Sequence, residues 1–287
     1  MSLRAAGPLG RVIESDGTVI KPRTGYQLEP DANALIMLNR VALLDGGALV
    51  DKAHPLLRWA ADRRLGQEAG LVRDVAARRG RAIEALRARG QAVARLRAEP
   101  EWRLAVGLGN RANAHEVGLS LHGSYGWPVI PGSSLKGLAA AWAAASGADD
   151  GEMMRILGGP RPTHGEHRPA EAARGTVCFL DAIPARGPVT VAVDVLTPHV
   201  KPYYDTTGSD SRKTPVPPAE YHNPVPVNFL TVSGAFAVDL CGPDADDVDR
   251  AATWLIKAGD ELGAGAKTAA GYGYLRLTRL GDREGRA

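Results

Sequence analysis

The spacing of apolar positions changes character near residue 100. Upstream, from Pro55 to Arg97, Ala, Arg, Leu and Glu dominate, a helix-forming composition that Gly80 and Gly90 break into two or three helices. On the last of these, Ile83, Leu86, Ala94 and Leu96 supply the apolar contacts, while Arg78, Arg79, Arg81, Arg87, Arg89, Arg95 and Arg97 make it basic. Ala34–Leu44 is a short apolar run compatible with helix or strand, and residues 1–31 read as an irregular arm. Downstream, Leu104–Gly109 reads as a buried strand and His115–His122 as an alternating one. A strand-like Trp127–Ile130 runs into a helix over Leu138–Ala145, and Met153–Leu157 forms a helical turn. Thr176–Asp181, Pro188–Leu196 and Asn228–Leu240 read as strands. A helix starting at Asp244 carries Val248, Ala252, Leu255, Ile256 and Leu262 on one face, and Tyr272–Thr278 is a last strand. The order strand, helix, strands, helix, strand predicts an α+β, ferredoxin-like core over 102–287, preceded by a helical region over 1–101. Residues 197–227, with seven prolines and no period, form a long insertion between the middle strands.

Composition narrows the function classes. With 44% hydrophobic and 23% charged residues in 287, the chain has enough material for a substantial core. A net charge of +3 is too small to argue a nucleic-acid partner without local clustering. Cys178 and Cys241 offer no metal-ligand spacing, and both read as buried reduced thiols. No apolar run is long enough to span a bilayer, so the expected location is cytoplasmic.

Two glycine-bounded stretches carry candidate chemistry. In Pro131-Gly132-Ser133-Ser134-Leu135-Lys136-Gly137, Ser133 or Ser134 is placed to cap the following helix. Lys136 adds a full positive charge where the helix dipole is already positive, which suits an anion such as phosphate better than it suits the helix. The second stretch runs from Gly263 through Gly265, Lys267 and Thr268 to Gly271 and Gly273. It is not a Walker loop, because Ala266 stands where glycine must precede Lys-Thr and the order is helix, loop, strand. A turn with exposed N–H groups and a lysine is still suited to a phosphate.

These two stretches, with Leu157-Gly158, resemble the motifs of the RAMP superfamily of CRISPR-associated proteins. Phe179–Pro184, Asp194–His199, Tyr203-Tyr204 and Asn223–Leu230 are, more narrowly, similar to the family of the sixth subunit of type III-B (Cmr) effector complexes. The likeness covers about 102–278, and the first hundred residues match poorly. One departure is the run Leu138-Ala139-Ala140, where RAMP proteins often carry an arginine; here none follows until Arg155.

The resemblance implies a structural, non-catalytic subunit that holds crRNA near its 3′ end. Its implied partners are crRNA, target RNA, other Cmr-complex RAMP subunits and small subunits, with no membrane, cofactor or metal. The RNA-binding residues expected on these grounds are Ser133, Ser134, Lys136, Gly137, His199, Tyr203, Tyr204, Gly263, Gly265, Lys267, Thr268 and Gly271. With only 5% aromatic residues, lysines and loops gripping phosphates are a better source of affinity than a stacking sheet. Tyr203 and Tyr204 are the candidates for stacking on a base. The alternative is a metal-independent ribonuclease of the same superfamily, with His122, His199 or His222 as acid or base and Lys136 or Lys267 stabilising the phosphorane.

Overall fold

A computed structural model describes residues 3–6, 33–45, 48–49, 54–62, 65, 67–109, 113–115, 117–159, 173–185, 189–198, 202–203, 216–221 and 223–281. The chain opens with β1 (Leu3–Ala6), α1 (Ala34–Arg40), β2 (Ala42–Asp45) and β3 (Ala48–Leu49), the strands forming a small antiparallel sheet in the order β1-β2-β3. The ambiguous run at 34–44 is therefore both helix and strand, split at Val41. Helices α2 (His54–Asp62) and α3 (Ala69–Ala88) follow, then β4 (Ala92–Pro100).

β4 corrects the reading of 92–97 as helix. Gly90 takes a φ of 77°, which ends α3. Beyond it, Ala94, Leu96 and Ala98 are buried while Arg95, Arg97 and Glu99 alternate with them, a period of two. Composition favoured a helix, but pairing on both sides decided the segment. β4 is an interior strand of the main sheet, so that sheet begins at Ala92 rather than at Trp102.

The rest of the core comprises α4 (Gly132–Ala145), α5 (Asp150–Leu157), the short pair β5 (Gly158–Gly159) and β6 (Ala173–Arg174), β7 (Cys178–Phe179), β8 (Ile183–Pro184), β9 (Thr190–Leu196), β10 (Val227–Ser233), β11 (Phe236–Gly242), α6 (Ala245–Glu261) and β12 (Leu275–Arg279). The main sheet is antiparallel in the order β12-β4-β11-β7, with β8 also on β11. With β4, β7/β8, β11 and β12 as its first to fourth strands and α4 and α6 as its helices, it is the ferredoxin-like arrangement expected. β9 and β10 form a separate hairpin between its second and third strands. The single strand expected over Asn228–Leu240 is two, bent at Gly234 (φ 110°). Where described, the strands expected at 104–109 and 115–122 are irregular chain, tied by single bridges from Leu104 to Val232 and from Leu121 to Pro128.

Each face of the sheet is covered differently. On one, Ala94, Leu96, Val238, Leu240, Leu275 and Leu277 meet Leu135 and Ala139 of α4 and Ala251, Leu255 and Ala258 of α6. Met37, Leu38, Leu56 and Trp59 of α1 and α2 join the same core. On the other face, Val72 and Val75 of α3 pack with Trp127, Val129 and Ile183. The buried Asp239 carboxylate there accepts from Arg79 of α3 (Nε–Oδ2 2.8 Å) and from Arg95 of β4 (Nε–Oδ1 2.9 Å). α3 is thus locked over the sheet surface that an RNA-recognition fold ordinarily leaves open.

Candidate nucleic-acid interface

Chain direction brings the two glycine stretches to one end of the sheet. β4 ends at Pro100, opposite Leu275 at the start of β12, and β11 begins nearby, with Phe236 opposite Ala98. α6 runs back along β11, so the Gly263–Gly273 loop returns to that same end. α4 leads into α5, whose Arg155 pairs with Asp247 in the first turn of α6. The start of α4 therefore lies away from that pair, on the β7/β8 flank of the sheet, where Gly132 is bonded to Asp181.

At the start of α4 the expected serine cap is absent. Pro131 is the capping position and gives no side-chain bond. Ser133 and Ser134 sit exposed in the first turn, and Lys136 and Gly137 follow half-buried. The acceptor comes instead from Asp181, whose Oδ1 takes the Gly132 N–H at 2.7 Å. Gly132 is required because a Cβ there would lie 2.1 Å from the Phe179 carbonyl oxygen. Asp181 places a carboxylate at the positive helix end, which weakens the case for an anion on the amides and leaves Lys136 as the stretch's cation. Arg155, the next arginine, is engaged with Asp247, itself bonded by Thr176.

The second stretch is more fully formed. Gly263 closes α6 by donating to the Ala258 carbonyl at 3.1 Å with a φ of 72°. Ala266 N–H then donates to Ala105 (2.7 Å) and Gly273 N–H to Arg103 (2.8 Å), which pins the loop to the chain leaving β4. Gly273 cannot carry a side chain, since a Cβ would lie 2.0 Å from the Ala264 oxygen. Among the described residues, the amides of Gly265 and Lys267 donate to no other group. Lys267 is the only non-glycine described residue with a left-handed backbone, φ 63°. That conformation costs an L-residue about 1 kcal/mol. Thr268 opens the short 3₁₀ turn that ends at Gly271 (φ 88°).

Around this loop lies an aromatic group that sequence reasoning passed over. Lys267 Nζ stands 5.1 Å from the centre of the Phe229 ring on β10. Phe229 meets Tyr272 edge-on at 5.4 Å, and Tyr272 meets Trp102 at 4.8 Å. Arg103 lies 5.5 Å from the Trp102 ring centre and pairs with Asp194 at 3.0 Å. Burial, with a hydrogen bond to Asp194 and its charge, pushes the Tyr272 hydroxyl up to about 12. The only sequence signal was the Trp102-Arg103 pair, one residue past Glu99-Pro100.

The other candidates are dispersed. His122 uses Nδ1 to accept the Ser124 N–H at 3.1 Å and stacks on Tyr125 at 4.7 Å, a turn-stabilising role. Tyr203 is described and half-buried, whereas His199, Tyr204 and His222 lie outside the described residues. Cys178 is exposed, contrary to expectation, and Cys241 is buried opposite it. Burial and the neighbouring Cys178 thiol raise the Cys241 pKa. Among the described residues no three His, Cys, Asp or Glu side chains group to hold a metal ion, and no helix is long and apolar enough to cross a membrane.

A ferredoxin-like sheet with a glycine-bounded, lysine-bearing loop between its second helix and last strand defines a class of protein. The chain belongs to the RAMP superfamily, whose family model matches residues 98–276. A curated relative, the CRISPR system Cmr subunit Cmr6 of Pyrococcus furiosus, is 28% identical over 224 residues, covering 60% of this chain. The match spans 64% of that relative's own length. A chain from the cryo-EM structure of the type III-B Cmr-beta complex bound to cognate target RNA shares the fold. It matches with a TM-score of 0.57 over 93% of this chain and 87% of its own, at 18% identity.

Proposed function

We propose that this protein is a non-catalytic, RNA-binding subunit of a type III-B CRISPR (Cmr) effector complex. In that role it holds the crRNA backbone near its 3′ end, beside other RAMP subunits, the small subunits and target RNA. The observation that carries the site is Lys267: a lysine kept in a backbone conformation suited to glycine, in a loop whose neighbouring amides at 265 and 267 have no other described acceptor. Such a loop offers N–H groups and a cation to phosphates without reading bases. Lys136, at the same end of the sheet, is the second cation. A guide changes its spacer sequence, so a grip on the phosphate spine is what its holder requires. The His122 ring, spent on a turn, supports a non-catalytic role.

The test is binding of single-stranded RNAs of unrelated sequence by the full chain. Lys267→Ala should weaken all of them about equally and lower the salt slope by about one. The RNA should remain intact in EDTA. Sequence-selective loss, an unchanged slope, or cleavage in EDTA would overturn the reading.

A further inference from the structure

We propose that Trp102 is a stacking platform for an unpaired nucleobase of the RNA strand whose phosphates lie on the Gly263–Gly273 loop; this rests on the RNA-binding reading above. Trp102 is 52% exposed, a large apolar ring left in water. Its position is nevertheless fixed. Glu101 N–H donates to the Tyr274 carbonyl at 2.9 Å, and the Arg103 carbonyl accepts from Gly273 at 2.8 Å, so both neighbours of Trp102 are bonded to the strand leaving the loop. The ring rests on Tyr272, 2% exposed, at 4.8 Å and an interplanar angle of 35°. Tyr272 is held in turn by Phe229, over which the Lys267 ammonium lies.

The cation of the loop and the exposed indole are thus the two ends of one chain of ring contacts. A platform prepared in this way loses little side-chain freedom when a base arrives. Stacking suits a holder of variable sequence, because every base has a π-face. The surroundings favour a nucleotide over an apolar protein surface. Arg103, held by Asp194, lies 5.5 Å from the ring centre, so a dry protein contact on the indole would have to desolvate a charged pair beside it. A nucleotide instead brings a flat ring for the indole and an anionic phosphate for the nearby cations.

The experiment compares the full chain with Trp102→Phe, Trp102→Leu and Trp102→Ala on a single-stranded RNA of about a dozen nucleotides, and on the same strand with abasic positions. Trp102→Ala and Trp102→Leu should lose about five- to a hundredfold in affinity on intact RNA with the salt slope unchanged, and Trp102→Phe should keep most of it. On abasic RNA all four proteins should bind alike. Equal affinity of the leucine variant and the parent for intact RNA overturns the platform. If Lys267→Ala still lowers the slope in that case, the backbone grip stands and only the platform falls. If the parent binds no RNA, both fall. If Trp102→Leu leaves RNA binding untouched but frees the subunit from its assembled complex, the ring is a protein contact and the platform is overturned.

Discussion

At Tyr272 a single proton reports on the geometry around the loop. The hydroxyl is held near 12 because its neutral form is buried and bonded to Asp194, against an ordinary value of 10. The folded state therefore keeps this proton more tightly than the unfolded chain does. Its contribution to stability is complete below pH 10 and is lost as pH rises from there through about 12. Asp194→Asn should move the hydroxyl back toward 10 without reaching it, since burial remains. Phenolate absorbance titrated against a Tyr272→Phe reference would measure this. At this scale Lys267, Gly263 and Gly273 were legible in the sequence because glycine spacing advertises a turn. Trp102 was not, because nothing local distinguishes a tryptophan that ends up exposed from one that packs. The Asp181 acceptor at the start of α4 was equally hidden, lying 49 positions away in sequence from Gly132.

Among the elements, α3 is held to the sheet by a buried charge as well as by apolar packing. Asp239 is 1% exposed and serves Arg79 and Arg95 together. Asp239→Ala leaves two largely buried guanidiniums without their carboxylate and should cost about 3–5 kcal/mol of stability in urea denaturation. Arg79→Ala should cost less, because Arg95 still neutralises the acid. α4, α6 and the last strand were readable from amphipathic spacing and glycine stops. β4 was concealed because its residues favour helices one by one, and only pairing with β11 and β12 makes a strand of them. β7 lies within the strand read at Thr176–Asp181, whereas β8 was missed, because two residues after the break at Asp181 and Ala182 are too few to show a period.

For the whole molecule, the division of labour between sheet and loops is the central point. With α4 and α6 on one face and α3 on part of the other, the proposed RNA contacts fall at the end of the sheet. The β9–β10 hairpin that carries the insertion adjoins this end, and its base is closed by Val225 N–H on the Pro198 carbonyl at 3.1 Å. Deleting 202–222 keeps that closure, so the thermal unfolding midpoint should change little while assembly with neighbouring subunits or RNA retention falls. Global unfolding of the deletion would instead make the segment part of the core. The fold class could be inferred from element order, but the inclusion of α1 and α2 in the common core could not, because their apolar faces carry no mark of their partner.

The outer strands of the main sheet have a further consequence. On one flank β7 and β8 are two residues each, with Pro184 lacking an N–H to donate; on the other, β12 carries Arg276 and Thr278 outward. Short, proline-bearing and cationic margins resist extension by a foreign strand. The margins of the main sheet are therefore poor templates for a foreign strand.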